Sequence, residues 1–196
     1  MPICVNQHGA CQTISIGELF DRAVEISDQI HTLSTDVLNE FNQRLIQGKH
    51  LNLSIVNSCH TSSIMTPQNK EDALNTSREH LLNLAVVILR SWRDPLQYAI
   101  SRFSDNTITS SILIKSMKIA KQMKQLAKGL SKISEQVTQQ SGAVQQTLQW
   151  VQPLSEDGGS IMLHLYNLLH CFRRDTNKID SYLKLLKCRF TQQSNC

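Results

Sequence analysis

The residues of this chain best placed to do covalent chemistry are six cysteines, Cys4, Cys11, Cys59, Cys171, Cys188 and Cys196. None stands in a Cys-x-x-Cys pair, the spacing a zinc site or a dithiol oxidoreductase would use. An even set without such pairs points to structural disulfides and an oxidising compartment. Six cysteines can pair in about fifteen ways. The spacing favours short terminal loops, Cys4 to Cys11 and Cys188 to Cys196, which leaves Cys59 to bridge to Cys171. Full pairing leaves no thiol nucleophile, and no GxSxG, P-loop, HExxH or GxGxxG pattern occurs. No catalytic residue and no cofactor is therefore expected. A metal has one weak candidate set, Asp28 and His31 three apart on a helix face with Asp180 opposite, which would suit zinc held between this protein and a partner. His31 also borders an apolar stripe, where packing is its ordinary use.

Three further groupings suit binding. On a helical wheel Tyr166, His170, Arg173, Arg174, Asn177 and Lys184 form a polar strip beside an apolar stripe, rich in the residue types that dominate interface energetics. Gly129 falls on the outward side of another helix, where Gly costs roughly 0.5 to 1 kcal/mol relative to Ala and fills no packing need. Gln122 and Gln125 lie two turns and one turn before it, so a small flat polar patch is expected around them. Lys115, Lys118, Lys121, Lys124, Lys128 and Lys132 share that helix with Glu135 alone, leaving the rest of the chain slightly acidic. Such a stripe is usually a solvated face; its functional alternative is attraction of a glycosaminoglycan or anionic lipid. Nucleic acid is not expected, because aromatic content is 5% and no recognised motif accompanies the charge.

These groups need elements to hold them. With 196 residues, 40% apolar and 18% charged, the chain can bury one core, and scarce Gly (7) and Pro (4) favour helices over a turn-rich β fold. No apolar run reaches the length of a membrane span. Ser15 and Glu18 make a capping box, followed by Phe20, Val24, Ser27, Ile30, Ser34, Val37 and Phe41 at helical spacing. Leu81 to Phe103 forms a second stripe, with a kink rather than a break expected at Asp94-Pro95. Ile112 to Val137 and Leu165 to Leu186 form the third and fourth. The expected helices are 15–45, 76–104, 110–140 and 160–188 in one domain, 1–196. Their connections run long, short, long, so an all-α, up-up-down-down four-helix bundle with two long crossovers is expected. Two sequons, at Asn52 and Asn75, suit a secreted surface. Met1-Pro2-Ile3-Cys4 has no basic or long apolar leader, so the expectation is that any secretion signal has been removed and Met1 is an added start.

Cys59-His60-Thr61-Ser62-Ser63, Thr66-Pro67, Leu89-Arg90-Ser91-Trp92 and Asp94-Pro95-Leu96 resemble the first signature of the somatotropin and prolactin family. Leu168-Leu169-His170-Cys171-Phe172-Arg173-Arg174-Asp175, with Lys178-Ile179-Asp180 and Tyr182 to Arg189, resembles the second. With Leu19-Phe20-Asp21-Arg22-Ala23 the resemblance covers essentially the whole chain, and Cys4 with Cys11 adds the terminal loop that marks the prolactin branch over the growth hormones. The resemblance implies a secreted, monomeric hormone that gathers two copies of the prolactin receptor's extracellular domain and activates JAK/STAT signalling in lactation, growth and reproduction; the alternative is a prolactin-like placental hormone, or a non-signalling bundle that binds a single receptor or a polyanion. It implies a first receptor site on Val24, Asp28, His31, Ser62, Lys70, Tyr166, His170, Arg173, Arg174, Asn177, Lys178, Tyr182 and Lys184. It implies a second centred on Gly129 and filled in by Ile16, Gly17, Arg22, Gln122 and Gln125. The family is more acidic along the third helix, notably at Lys128, and commonly carries histidine where Asp28 and Asn177 stand, so weaker zinc binding and weaker pH switching are implied.

Overall fold

The computed structural model describes residues 14–46, 59–104, 110–137, 148–152 and 158–192. The first helix, α1 (Ile16–Phe41), starts where the sequence places it: the Ser15 hydroxyl accepts the Glu18 N–H at 3.2 Å and the Glu18 carboxylate accepts the Ser15 N–H at 2.9 Å. These bonds, the backbone one foremost, hold the Glu18 carboxyl below the usual carboxylate range. Beyond Phe41 the helix widens into a π turn, Asn42–Ile46, which buries Leu45 and Ile46. A short helix α2 (Lys70–Asn75), capped by Asn69, and a 3-10 turn over His60–Ser63 lie ahead of the expected second helix. Both fall where the periodicity gave no signal, being too short to carry one.

The second long element is divided. Its halves are α3 (Arg78–Ser91), capped by Ser77, and α4 (Arg93–Ser104), with Trp92 between them at φ −92°, ψ −2°. A continuous kinked helix was expected, and local chemistry explains the interruption. Pro95 has no N–H for the Ser91 carbonyl, and its ring would crowd that carbonyl. The freed carbonyl is taken by His60 Nε2 at 3.1 Å, which must therefore be the protonated nitrogen. The crossover that carries His60 is thus fastened to the gap that Pro95 opens.

Helices α5 (Ser110–Val137) and α6 (Gly158–Phe190) complete the set, so every regular element among the described residues is helical. Side-chain pairs fix the directions. Along α1, Phe20 stacks on Phe190, Ser27 reaches Asp180, and His31 and Ser34 reach Thr176, so α6 runs antiparallel to it. Glu40 meets Lys115 and Gln29 meets Gln122, so α5 also runs antiparallel to α1. Arg78 lies over Phe190, Trp92 on Phe172 and Tyr98 beside His164, which makes the α3–α4 rod antiparallel to α6 and parallel to α1. The result is the expected up-up-down-down bundle, with α1 and the α3–α4 rod each packed on both α5 and α6.

The core follows the stripes: Phe20, Ile30, Val37 and Phe41 from α1 meet Leu81, Ile88, Trp92 and Phe103, Ile112 to Ile133, and Leu165 to Leu186. Each buried CH2 contributes about 0.8 kcal/mol, so these large apolar side chains supply the driving force. Buried Ser27, Ser34 and Thr176 set the register between α1 and α6 through hydrogen bonds that only this alignment satisfies. Cys59 and Cys171 are joined with Cα atoms 5.6 Å apart, as expected, pinning the crossover to α6. Closing so long a loop restricts the unfolded chain by up to roughly 5 kcal/mol. Cys188 is also disulfide-bonded; its expected partner Cys196, the expected pair Cys4 and Cys11, and Asn52 lie outside the described residues. The second sequon residue, Asn75, is exposed at the end of α2.

Candidate functional site

The first expected face is built around a residue the sequence reading passed over. Asp175 sits on the buried side of α6, only 1% exposed, at a position where the stripe asks for an apolar side chain. Its Oδ2 accepts the Trp92 indole N–H at 2.9 Å and the Thr61 hydroxyl; its Oδ1 accepts Arg174 Nε at 2.9 Å and Arg174 Nη2 at 2.7 Å. Arg174 Nη2 also donates to Thr61 Oγ1 at 2.8 Å. One carboxylate therefore ties the crossover, the α3–α4 junction and the Arg174 guanidinium together. A buried charge survives only with such partners.

Around that hub the surface is set by neighbouring groups. Lys178, half-buried, donates to Thr66 Oγ1 at 2.9 Å, and burial, helped by the Arg174 charge, pushes its ammonium below the ordinary lysine value. Tyr182 is buried beneath the same crossover, and burial pushes its phenol up. Burial likewise lowers the His60 imidazole, whose edge meets Trp92 with centroids 4.6 Å apart. His170, Arg173, Asn177 and Lys184 are exposed along one strip of α6, with Tyr166 and Arg174 half-buried in it; exposed Ser181 completes the strip and was not singled out from sequence. Ser62 and Lys70 are exposed on the crossover side, where Met65, 87% exposed, is a large apolar group the periodicity could not flag.

On the other flank Val24 and His31 are half-buried and Asp28 exposed. Lys184 Nζ lies 2.9 Å from Asp28 Oδ1 and 2.7 Å from Asp180 Oδ2, and these carboxylates, Asp180 first, raise its pKa. Asp180 also accepts the Ser27 hydroxyl at 2.8 Å, and His31 Nδ1 pairs with Thr176 Oγ1 at 3.2 Å. The ammonium of Lys184 thus stands between the two carboxylates proposed for zinc, and His31 turns to a hydroxyl instead. Among the described residues no three His, Cys, Asp or Glu side chains are grouped to hold a metal.

The second expected face runs along α1 and α5. A Cβ on Gly129 would meet nothing within 4 Å, so the surface there is open. The antiparallel register that pairs Gln29 with Gln122 brings Arg22, one heptad earlier, level with Gly129, one heptad later. Arg22 and Gln125 are exposed. Gln122 is not part of an exposed patch: it is buried, with Nε2 donating to Gln29 Oε1 across the helix pair. Gln29 and Gln122 lie close enough to bond because both sit at the α1–α5 seam, which a single-helix wheel cannot show. Ile16 is half-buried against the core, and a Cβ on Gly17 would touch Thr191 at 3.7 Å and Ser15 at 3.8 Å, placing that glycine by the end of α6.

Among the described residues no helix is long and apolar enough to cross a membrane. A family model described as the somatotropin hormone family matches residues 1–196. With the four-helix bundle and the Cys59–Cys171 bridge beside that match, the chain belongs to the somatotropin hormone family, whose members are signalling hormones acting on cytokine-class receptors and not enzymes.

Proposed function

We propose that this hormone is secreted and activates the prolactin receptor by engaging two receptor chains, one on each of two faces. The first face is the α6 strip with the crossover and the middle of α1: Tyr166, His170, Arg173, Arg174, Asn177, Lys178 and Lys184, with Val24, Asp28, His31, Ser62 and Lys70. Tyr182 acts beneath it as support, since it is buried. The second centres on Gly129 and Arg22, with Gln125, Ile16, Gly17 and Gln122 around them. The observation that supports the reading is the open surface at Gly129: a mid-helix glycine there costs helix stability, meets no neighbour within 4 Å and leaves room for a partner's surface to come close.

Fixing Thr61, Trp92 and Arg174 to one carboxylate lets the first face meet a receptor already ordered, so little conformational entropy is lost on binding. Two receptor chains held together would bring their associated kinases into reach and so start JAK/STAT signalling. Cells carrying either the prolactin receptor or the growth-hormone receptor provide the test. STAT phosphorylation through the former, abolished by Arg173→Ala with Arg174→Ala, is expected; a response through the latter alone would overturn the receptor assignment.

A further inference from the structure

The outward face of α5 carries, beside Gly129 and Gln125 of the proposed second receptor site, a stripe of lysines that the two-receptor reading gives no role. Lys118, Lys121, Lys124, Lys128 and Lys132 are all exposed, and their positions span about a third of the helix circumference, opposite buried Ile112, Ile119, Met123, Leu126 and Leu130. They extend over about 21 Å of helix axis. Lys115 stands apart because Glu40 neutralises it at 2.9 Å. None of the five forms an ion pair with another described residue, and Glu135 is the one carboxylate on α5. Five cations held in a row without counter-charge repel one another, and an external polyanion would relieve that repulsion.

We infer that this face docks a sulfated glycosaminoglycan. An extended polyanion matches a basic stripe that is long and confined to about a third of the helix circumference. Lysine supplies compact point charges without demanding the planar fork geometry of arginine, which suits sulfates and carboxylates at irregular spacing. Single-stranded nucleic acid would seek aromatic platforms, and α5 has no aromatic residue. A lipid surface would seek apolar side chains to bury; the face offers only Ile114 and Met117, both near its start, while the apolar side of α5 is spent on the core.

The experiment is heparin affinity measured for the full chain across a salt series, beside the variant Lys121→Gln/Lys124→Gln/Lys128→Gln and a control, Arg44→Gln/Arg90→Gln/Arg93→Gln, which removes equal charge from exposed positions elsewhere. Circular dichroism checks that each is folded. With about five charges engaged, wild-type affinity falls by between two and three orders of magnitude from about 50 to about 200 mM salt. The stripe variant binds about a hundredfold more weakly at about 150 mM salt and loses roughly three units of salt slope, while the control changes little. Equal losses in both variants would overturn the proposal, since net charge alone would then explain retention. So would binding to phosphatidylserine-rich vesicles without binding to heparin, which would make the face a membrane surface.

Discussion

Replacing Asp175 by Asn should both destabilise the bundle and loosen the proposed first receptor face. The substitution keeps the shape but gives the buried position one oxygen and one NH2 where two oxygens now accept. Whichever way the amide turns, its NH2 meets donors: the Trp92 indole and Thr61 hydroxyl on one side, or Arg174 on the other. Removing one member of a fully buried ion pair costs about 3 to 5 kcal/mol. Here Arg174 is 36% exposed at its side chain and can turn to water, which places the loss near the low end, at about 3 kcal/mol. For a chain of this size that corresponds to about 6 to 12 °C in Tm. Urea unfolding with the disulfides intact would measure it. A double-mutant cycle with Thr61→Val should show that the two losses do not add, because they share one carboxylate. A loss below about 0.5 kcal/mol, the range of ordinary surface substitutions, would refute the hub.

Three further outcomes follow from the same geometry. Gly129→Ala should stabilise the isolated hormone by roughly 0.5 to 1 kcal/mol, since the added Cβ meets nothing; a lower urea midpoint would show a hidden contact. The Lys184 bridge should contribute less than about 1 kcal/mol, because its pairs are half exposed. Its pKa is raised in the fold, so that contribution is present below the unfolded lysine value near 10.4 and lost as pH rises through the folded one. The stability gap between wild type and Lys184→Gln should therefore close in alkali, and a gap unchanged there would contradict the bridge. His60 is lowered by burial, so its stabilising neutral state holds above the unfolded value near 6.5 and is lost as pH falls through the folded one. His60→Gln should flatten the acid-side decline of Tm, and an identical decline would place that titration elsewhere.

The fold was legible because its signals are periodic and long. Four stripes at helical spacing, a capping box and the ordering of loop lengths suffice for the bundle, and the Cys59–Cys171 bridge follows from the spacing of six cysteines. What escaped depends on partners from elsewhere in the chain. Pro95 announces a disturbed helix, yet whether it kinks or interrupts rests on His60, 31 residues before Ser91 in sequence, taking the freed carbonyl. Gln122 reads as surface on its own helix and is buried only because Gln29 faces it from α1. Asp175 was visible as a charge within an apolar stripe, between Phe172 and Ile179, and a search for charged residues at core positions would have found it. Asp28, His31 and Asp180 share the right neighbourhood for a metal, but sequence spacing could not show Lys184 reaching between them.

The central claim, two receptor chains on two faces, is met most directly by titrating the hormone with soluble prolactin-receptor ectodomain and following complex mass by light scattering, with Gly129→Arg alongside. A Cβ at Gly129 meets nothing within 4 Å, and circular dichroism on the variant checks that the fold is kept, so a change in complex mass then reports on the partner. One hormone with two receptors for the wild type, reduced to one with one for the variant, is the predicted result. A one-to-one ceiling that Gly129→Arg leaves unchanged would contradict it.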